Sequence, residues 1–149
     1  MRTDLTKTTT TIYLAARYER REELCRYRED LTRLGWRVRA RWLDGGHQLS
    51  LAAFDDGQAL IEAKGPKAHA HRASFAQDDL EDVSRSGILI SFTEDPATPH
   101  RRGGRHVEFG IALATGAALY LVGPRENIFH SLPQVRQFDT WEQCLEIFR

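Results

Sequence analysis

The sequence has little of several features that mark particular classes of protein. Its 21 basic and 21 acidic side chains cancel over 149 residues, which removes the electrostatic case for a nucleic-acid or membrane-surface protein. Only two cysteines occur, Cys25 and Cys144, and without metal-like spacing we expect reduced thiols. No apolar run approaches a membrane span, and the polar start, Met1 to Thr11, has no apolar signal core. We therefore expect a cytoplasmic enzyme or binding domain.

Two common nucleotide-binding signatures are also absent. The first predicted strand is followed by Ala15-Ala16-Arg17 rather than by Gly-x-Gly-x-x-Gly, and no Gly-Lys-Ser/Thr occurs, which argues against an NAD-binding motif and a P-loop. His69-Ala70-His71 would place two imidazoles on one side of an extended segment, but no third ligand lies nearby in sequence. We interpret that segment as a solvated loop and expect neither a metal nor a cofactor.

What the sequence does contain is an alternation of apolar strands and helical patterns. Helices are predicted over Leu24–Leu34, Ser74–Arg85, the segment after Gly103-Gly104 and Trp141–Phe148. Strands are predicted over Ile12–Ala16, Trp36–Trp42 (near a sheet edge), Gly87–Phe92, Ala118–Val122 and Val135–Phe138. Such alternation is typical of a parallel sheet covered on both faces. The chain is thus predicted to be a single α/β domain over 1–149, flavodoxin- or Rossmann-like with three layers, about five mostly parallel strands and a flexible N-terminus over 1–10.

The most informative stretch is the loop and helix start from Gly103 to Gly110, which reads Gly-Gly-Arg-His-Val-Glu-Phe-Gly. It follows a predicted buried strand, so it should lie at the carboxyl edge of the sheet, where open α/β folds bind ligands. Glu108 is predicted in or near the first helical turn, where the positive end of the helix should keep its carboxylate ionised. An ionised carboxylate is what nucleophilic attack on a sugar carbon requires.

Two motifs together carry a resemblance to a known family. Asp79-Leu80-Glu81-Asp82 precedes the strand ending at Phe92, and the Gly103 to Gly116 stretch follows it. In order and spacing they resemble the nucleoside 2-deoxyribosyltransferase family, over most of the chain from Ile12 to about Phe138. Relatives of that family include the deoxynucleoside 5′-monophosphate N-hydrolases, which share the fold and the carboxylate.

The resemblance implies roles for individual residues. Glu108 corresponds to the family nucleophile, Asp79 to the acidic residue that handles protons on the base, and Tyr13 to a tyrosine that orients the nucleophile. Asn127 aligns with an asparagine that the family lends to a neighbouring subunit's site, which implies a homodimer or larger oligomer. Candidate substrate contacts are Arg17, Gly103, Gly104, Arg105 and His106.

Three functions remain open at this point. The first is cleavage of the N-glycosidic bond of 2′-deoxynucleosides with transfer of the sugar to another base. The second is hydrolysis of nucleoside 5′-monophosphates, because Arg101-Arg102 replaces an acidic residue that transferases often carry there, and arginines beside a helix N-terminus could bind a phosphate. Arg17, Arg20 and Arg21 favour the same alternative. The third is a nucleotide sensor that retains the fold without turnover.

Overall fold

A computed structural model describes residues 6–45, 66–98 and 103–149 of the chain. Within this part, five strands form one sheet in which every neighbouring pair is parallel, in the order β2-β1-β3-β4-β5. The strands are β1 (Thr11–Ala15), β2 (Arg37–Val38), β3 (Ile88–Phe92), β4 (Ala118–Val122) and β5 (Val135–Phe138). The predicted α/β fold with a five-stranded parallel sheet is confirmed.

Three of the helices connect consecutive strands, as neighbouring parallel strands require, and a fourth follows the last strand. They are α1 (Arg21–Arg33), α2 (Pro66–Ser84), α3 (Gly104–Ala114) and α4 (Trp141–Glu146), with short 3₁₀ turns over Tyr18–Arg20, Arg41–Asp44 and Ile128–Ser131. Among the helices described, none combines the length and apolar character needed to cross a bilayer.

The strand order reverses its direction between β1 and β3. From β1 the chain moves to β2 on one side, whereas from β3 it moves to β4 on the other. Because crossovers between parallel strands are right-handed, the two connecting helices α1 and α3 must cover opposite faces of the sheet. Helix α2 packs against α3, and α4 packs against α1 through the stacked rings of Tyr27 and Trp141.

The core is built around β3, all five residues of which are buried. On the α1 and α4 face, the rings of Tyr27, Phe92 and Trp141 each contact the other two. The centroid distances are 5.3 Å from Tyr27 to Phe92, 4.5 Å from Tyr27 to Trp141 and 5.8 Å from Phe92 to Trp141. Nearby, the Trp36 indole donates a 2.8 Å hydrogen bond to the carbonyl of Phe148. Burial of large aromatic side chains contributes about 1.5–3 kcal/mol each, so this cluster is a main source of stability.

The prediction of a strand over Trp36–Trp42 is wrong for most of its length. Only Arg37–Val38 pairs with β1, at the edge of the sheet as expected, and Arg41–Asp44 forms a 3₁₀ turn. The turn brings the Trp42 indole inward, where its N–H donates to the carbonyl of Leu14 at 2.9 Å. Trp42 is 5% exposed, and a buried indole N–H requires such a partner.

Helix α2 begins at Pro66, eight residues earlier than the predicted Ser74, because proline at the first helical position needs no intrahelical donor. His69 and His71 therefore lie on a helix and not on the extended, solvated loop that we expected. Residues 6–10, expected to be flexible, include a turn in which Lys7 Nζ donates to the carbonyl of Leu34 at 2.9 Å. The sequence also favours a short helix around Leu49 to Leu60, and that segment lies outside the described residues.

The turn after β4 offers a test of close packing between two strand ends. Gly123 has a φ of +116°, and a Cβ atom there would lie 2.5 Å from Thr93 Oγ1 and 3.1 Å from its carbonyl oxygen. Gly116 also has a positive φ, +80°, but a Cβ there would meet no atom within 4 Å among the described residues. We expect Gly116→Ala to cost about 1–2 kcal/mol from backbone strain, and Gly123→Ala about 1–3 kcal/mol more from the clash.

Urea unfolding of the two variants beside the parent protein measures this difference. Equal destabilisation by both substitutions would show that Thr93 moves away without cost, and would contradict the close approach.

Candidate active site

The candidate site lies at the carboxyl edge of the sheet, where the strand order reverses. The loop that begins after β1 at Ala16 and the loop that begins after β3 at Thr93 lead to helices on opposite faces of the sheet. A strand order of this kind is expected to leave a crevice between the two loops. In open α/β sheets, ligands bind in such a crevice. Residues 99–102 of the second loop lie outside the described part of the chain.

A hydrogen bond between Tyr13 and Glu108 links a central strand to the helix beyond the crevice. The Tyr13 hydroxyl donates to Glu108 Oε1 at 2.8 Å. Tyr13 is fully buried in β1, so its ring is fixed by packing and its hydroxyl is directed at the carboxyl group. The sequence predicted this pairing only through the family resemblance, since the two residues are 95 positions apart.

The electrostatic environment of Glu108 differs from the predicted one. Helix α3 begins at Gly104, so Glu108 is its fifth residue and lies in the second turn, where the effect of the helix dipole has weakened. Burial and the neighbouring Asp79 raise the pKa of Glu108 to about 8, against opposing contributions from the Tyr13 hydrogen bond and Arg105. The expectation of a carboxylate held ionised by the helix N-terminus is therefore wrong for this structure.

Asp79 approaches the same site from α2. Burial, followed by the negative charges of Asp82 and Asp78, raises its pKa to about 7. Asp79 also contributes to the raised pKa of Glu108, so the two carboxyl groups are electrostatically coupled. Coupled acids lose their protons in two steps, and the pKa of each step is a property of the pair and not of one residue. Near neutral pH, this pair holds about one proton.

Asp82, one helical turn after Asp79, is a buried carboxylate that sequence analysis did not single out. It accepts hydrogen bonds from the Arg41 backbone N–H at 2.8 Å and from Arg39 Nε at 3.1 Å, and it pairs with the Arg41 guanidinium. Burial alone would raise the pKa of Asp82, but these hydrogen bonds outweigh it and hold the pKa below its ordinary value. Asp82 thus keeps a fixed negative charge behind Asp79.

The glycines at the start of α3 form an open helix terminus. Gly103 precedes the helix, and its carbonyl accepts from the N–H groups of His106 and Val107. Gly103 and Gly104 are exposed, and no described atom outside their immediate neighbours would contact a Cβ at either position within 4 Å. An open N-terminus of this length can bind an anion through its backbone N–H groups.

Arg17 and Arg20, which follow β1, differ in how strongly they pair with carboxylates. The Arg20 guanidinium pairs with both oxygens of Glu23 at 2.8 Å and also reaches Glu94 at 3.3 Å, so its charge is already compensated. Arg17 makes a looser contact, with 3.6 Å between its Nε and Glu19 Oε2. Of these two predicted phosphate ligands, Arg17 therefore forms the weaker ion pair within the protein. Arg101 and Arg102 lie outside the described residues.

The remaining predicted substrate contacts are Arg105, His106 and Asn127, and each contacts another protein side chain near the start of α3. Arg105 pairs with Glu126, and each side chain is only 1% exposed. Asn127 Nδ2 lies 3.3 Å from His106 Nδ1, and its Oδ1 accepts from two backbone N–H groups of the following 3₁₀ turn. The Arg105 guanidinium is buried in this pair, and its predicted contact with substrate stays a prediction. The role of Asn127 in a neighbouring subunit's site stays a prediction.

Among the described residues, the arrangement brings together two carboxyl groups and a tyrosine hydroxyl. The same residues contain no group of three histidine, cysteine or acidic side chains placed to hold a metal. Sequence analysis missed Asp82, Glu126 and Arg41. Asp82 could have been suspected from its spacing to Asp79, whereas the Arg105–Glu126 pair spans two elements and leaves no local signal.

Comparison with known proteins supports the fold. No protein-family model and no curated protein matches the chain. Among solved structures it is similar to the Clostridium botulinum CMP N-glycosidase BcmB, with a TM-score of 0.52 and 18% sequence identity. The alignment covers 93% of this chain and 97% of that one. At this identity the likeness establishes a shared single-domain α/β fold.

The raised pKa of Glu108 predicts how stability depends on pH. Between the ordinary glutamate pKa and about 8, the folded protein keeps a proton that the unfolded chain releases, so the free energy of unfolding falls as pH rises. Glu108→Gln removes this loss. We expect the variant to be more stable than the parent protein at pH 8.5 by at least about 1 kcal/mol, which is less than the free energy that corresponds to a one-unit change in pKa. This difference in stability should shrink toward pH 4.5.

Urea unfolding at both pH values measures the effect, and the exposed Glu22, changed to Gln, provides the matched control with no such dependence. A Glu108→Gln variant that is less stable than the parent protein at pH 8.5 would show that Glu108 is stabilised as a carboxylate.

Proposed function

We propose that this protein cleaves the N-glycosidic bond of a nucleoside or nucleotide through a covalent sugar ester on Glu108. The observation that carries the proposal is the Tyr13 hydroxyl 2.8 Å from Glu108 Oε1, beside a second carboxyl group that is coupled to Glu108. The family resemblance gives these residues the same roles. The structural neighbour, named as a CMP N-glycosidase, lends independent support.

The first step forms the ester. One carboxylate oxygen of Glu108 attacks the anomeric carbon of the sugar as the bond from that carbon to the base nitrogen breaks. The bonding electrons leave with the base, which takes a proton from Asp79 and departs as a neutral molecule. The transition state has oxocarbenium character, and a flanking carboxylate stabilises its positive charge.

The second step releases the sugar. Asp79, now ionised, accepts a proton from the incoming nucleophile as that nucleophile attacks the anomeric carbon and the ester bond to Glu108 breaks. Water as nucleophile gives hydrolysis, and a second base gives transfer. Two displacements at one carbon retain its configuration. Transfer between bases of 2′-deoxynucleosides is the activity that the resemblance favours.

Hydrolysis of a nucleoside 5′-monophosphate is the second candidate, and the name of the structural neighbour favours it. A phosphate could be bound by the open N-terminus of α3 at Gly103 and Gly104 and by Arg17, which makes a weaker ion pair than Arg20. Arg20 and Arg105 are neutralised by carboxylates and would add little.

Chromatography of purified protein with 2′-deoxynucleosides and their 5′-monophosphates, each with and without a second free base, tests these functions. A nucleoside that carries the added base would establish transfer, and free base from the monophosphates alone would establish nucleotide hydrolysis. Binding of a nucleotide without any product would favour a sensor and overturn the catalytic proposal.

Glu108→Gln should reduce base release by at least about 10³-fold, because it removes the nucleophile. The variant should keep its circular dichroism spectrum, and Glu22→Gln should retain full activity. Intact-mass spectrometry after rapid quenching should find the sugar ester on the parent protein and not on Glu108→Gln. A folded Glu108→Gln variant with undiminished turnover would rule out Glu108 as the nucleophile.

Tyr13→Phe should weaken catalysis in a pH-dependent manner. The reaction needs Glu108 ionised and Asp79 protonated, so kcat/KM should be bell-shaped with its maximum near pH 7–8, where the pair holds one proton. The Tyr13 hydrogen bond favours the ionised Glu108. Its loss should raise the pKa of Glu108, which is the higher of the two, and so move the basic limb of the profile to higher pH and lower the maximum about 10–100-fold. An unmoved basic limb would contradict this role for Tyr13.

A further inference from the structure

Two consecutive residues at the start of α3 are held by two consecutive residues of the loop after β4. Arg105 Nε donates to Glu126 Oε2 at 3.2 Å, and Arg105 Nη2 pairs with Glu126 Oε1. In the next position, Asn127 Nδ2 approaches His106 Nδ1 at 3.3 Å. Since both members of the ion pair are 1% exposed, this attachment excludes solvent.

The loop that presents Glu126 is itself fixed. The backbone N–H of Glu126 donates to Nδ1 of the buried His130 at 3.0 Å, and Arg125 Nε donates to the His130 carbonyl at 3.1 Å. The His130 ring also packs edge-on against Phe109 of α3, with 4.9 Å between centroids. The position of Glu126 relative to α3 is therefore determined by packing as well as by charge.

Arg105 and Glu108 are three residues apart on α3, and side chains at this spacing are neighbours on one face of a helix. The groups that act on Glu108 come from three elements: Tyr13 from β1, Asp79 from α2 and Arg105 from α3 itself. Of these, Arg105 is the positive charge. It opposes burial and Asp79, whereas Glu126 partly neutralises it.

We propose that Arg105 is a positioning residue for Glu108, that its charge favours the ionised carboxylate, and that Glu126 sets how strongly it does so. On this assignment Arg105 serves the nucleophile and does not contact the substrate, contrary to the role that the sequence predicts for it. The consequence for turnover rests on the proposed function, but the coupling between the three side chains does not.

Substituting either member of the Arg105–Glu126 ion pair should shift the titration of Glu108, and the two shifts should have opposite directions. Arg105→Met removes the positive charge, so Glu108 should titrate at a pH higher by about one unit, as a unit charge this close produces at an effective dielectric near 20. Glu126→Gln removes the negative charge that opposes Arg105 in this pair, so Glu108 should titrate at lower pH. The readout is the ¹³C-carboxyl titration of the full-length protein, with the Glu108 signal identified by its loss in Glu108→Gln.

A buried charge without its partner can prevent folding, so a double variant accompanies the single ones. Arg105→Met with Glu126→Met removes both charges and keeps apolar volume. It should fold and show an upward shift smaller than that of Arg105→Met, because the opposing charge of Glu126 is removed as well. A Glu108 titration identical to that of the parent protein in the double variant, or shifts of the same sign in both single variants, would overturn the proposal.

Kinetics separate this inference from the proposed function. If the parent protein releases base, Arg105→Met should lower kcat with little change in KM, whereas loss of a substrate contact would raise KM and overturn the positioning role. If the parent protein releases no base from any nucleoside or nucleotide while the opposite titration shifts are observed, the proposed function fails and the coupling stands.

Discussion

The reversal of strand order between β1 and β3 is the constraint on which the rest of the molecule depends. Since right-handed crossovers then send α1 and α3 to opposite faces, the backbone must part at the carboxyl edge between these two strands. On the α3 face, Tyr13 and Glu108 come from elements that are distant in sequence, and α2 adds Asp79. The site is therefore a consequence of how the sheet is wound, and the side chains supply its chemistry.

Burying two coupled carboxyl groups is unfavourable for folding, and the structure shows what offsets it. On the opposite face, the cluster of Phe92, Tyr27 and Trp141 supplies apolar burial away from the site. Close to the site, hydrogen bonds from Arg39 and Arg41 stabilise Asp82 as a carboxylate. The fold thus places its main aromatic cluster on one face of the sheet and the coupled carboxyl groups on the other, and strongly perturbed carboxyl groups of this kind are typical of functional sites.

Sequence reasoning succeeded where local pattern determines structure. The apolar strands and the alternation of elements led to the fold, and the resemblance named Tyr13, Asp79 and Glu108 before their geometry was known. It failed where the outcome depended on contacts across the fold. The ionisation of Glu108 was misjudged because it is set by burial and by Asp79, not by the helix terminus. The strand predicted through Trp42 ends early because the indole bonds to the carbonyl of Leu14.

A nucleophile with a raised pKa looks unsuited to its task, yet the proposed reaction requires one proton as well as one carboxylate. If both groups titrated at ordinary values, the site would hold two carboxylates at neutral pH and no acid to protonate the departing base. Raising both pKa values keeps one proton in the pair. The Tyr13 hydroxyl and the Arg105 charge lower the pKa of Glu108 toward that of Asp79. They thereby increase the population in which Glu108 is ionised and Asp79 carries that proton, the arrangement from which both proposed steps can proceed.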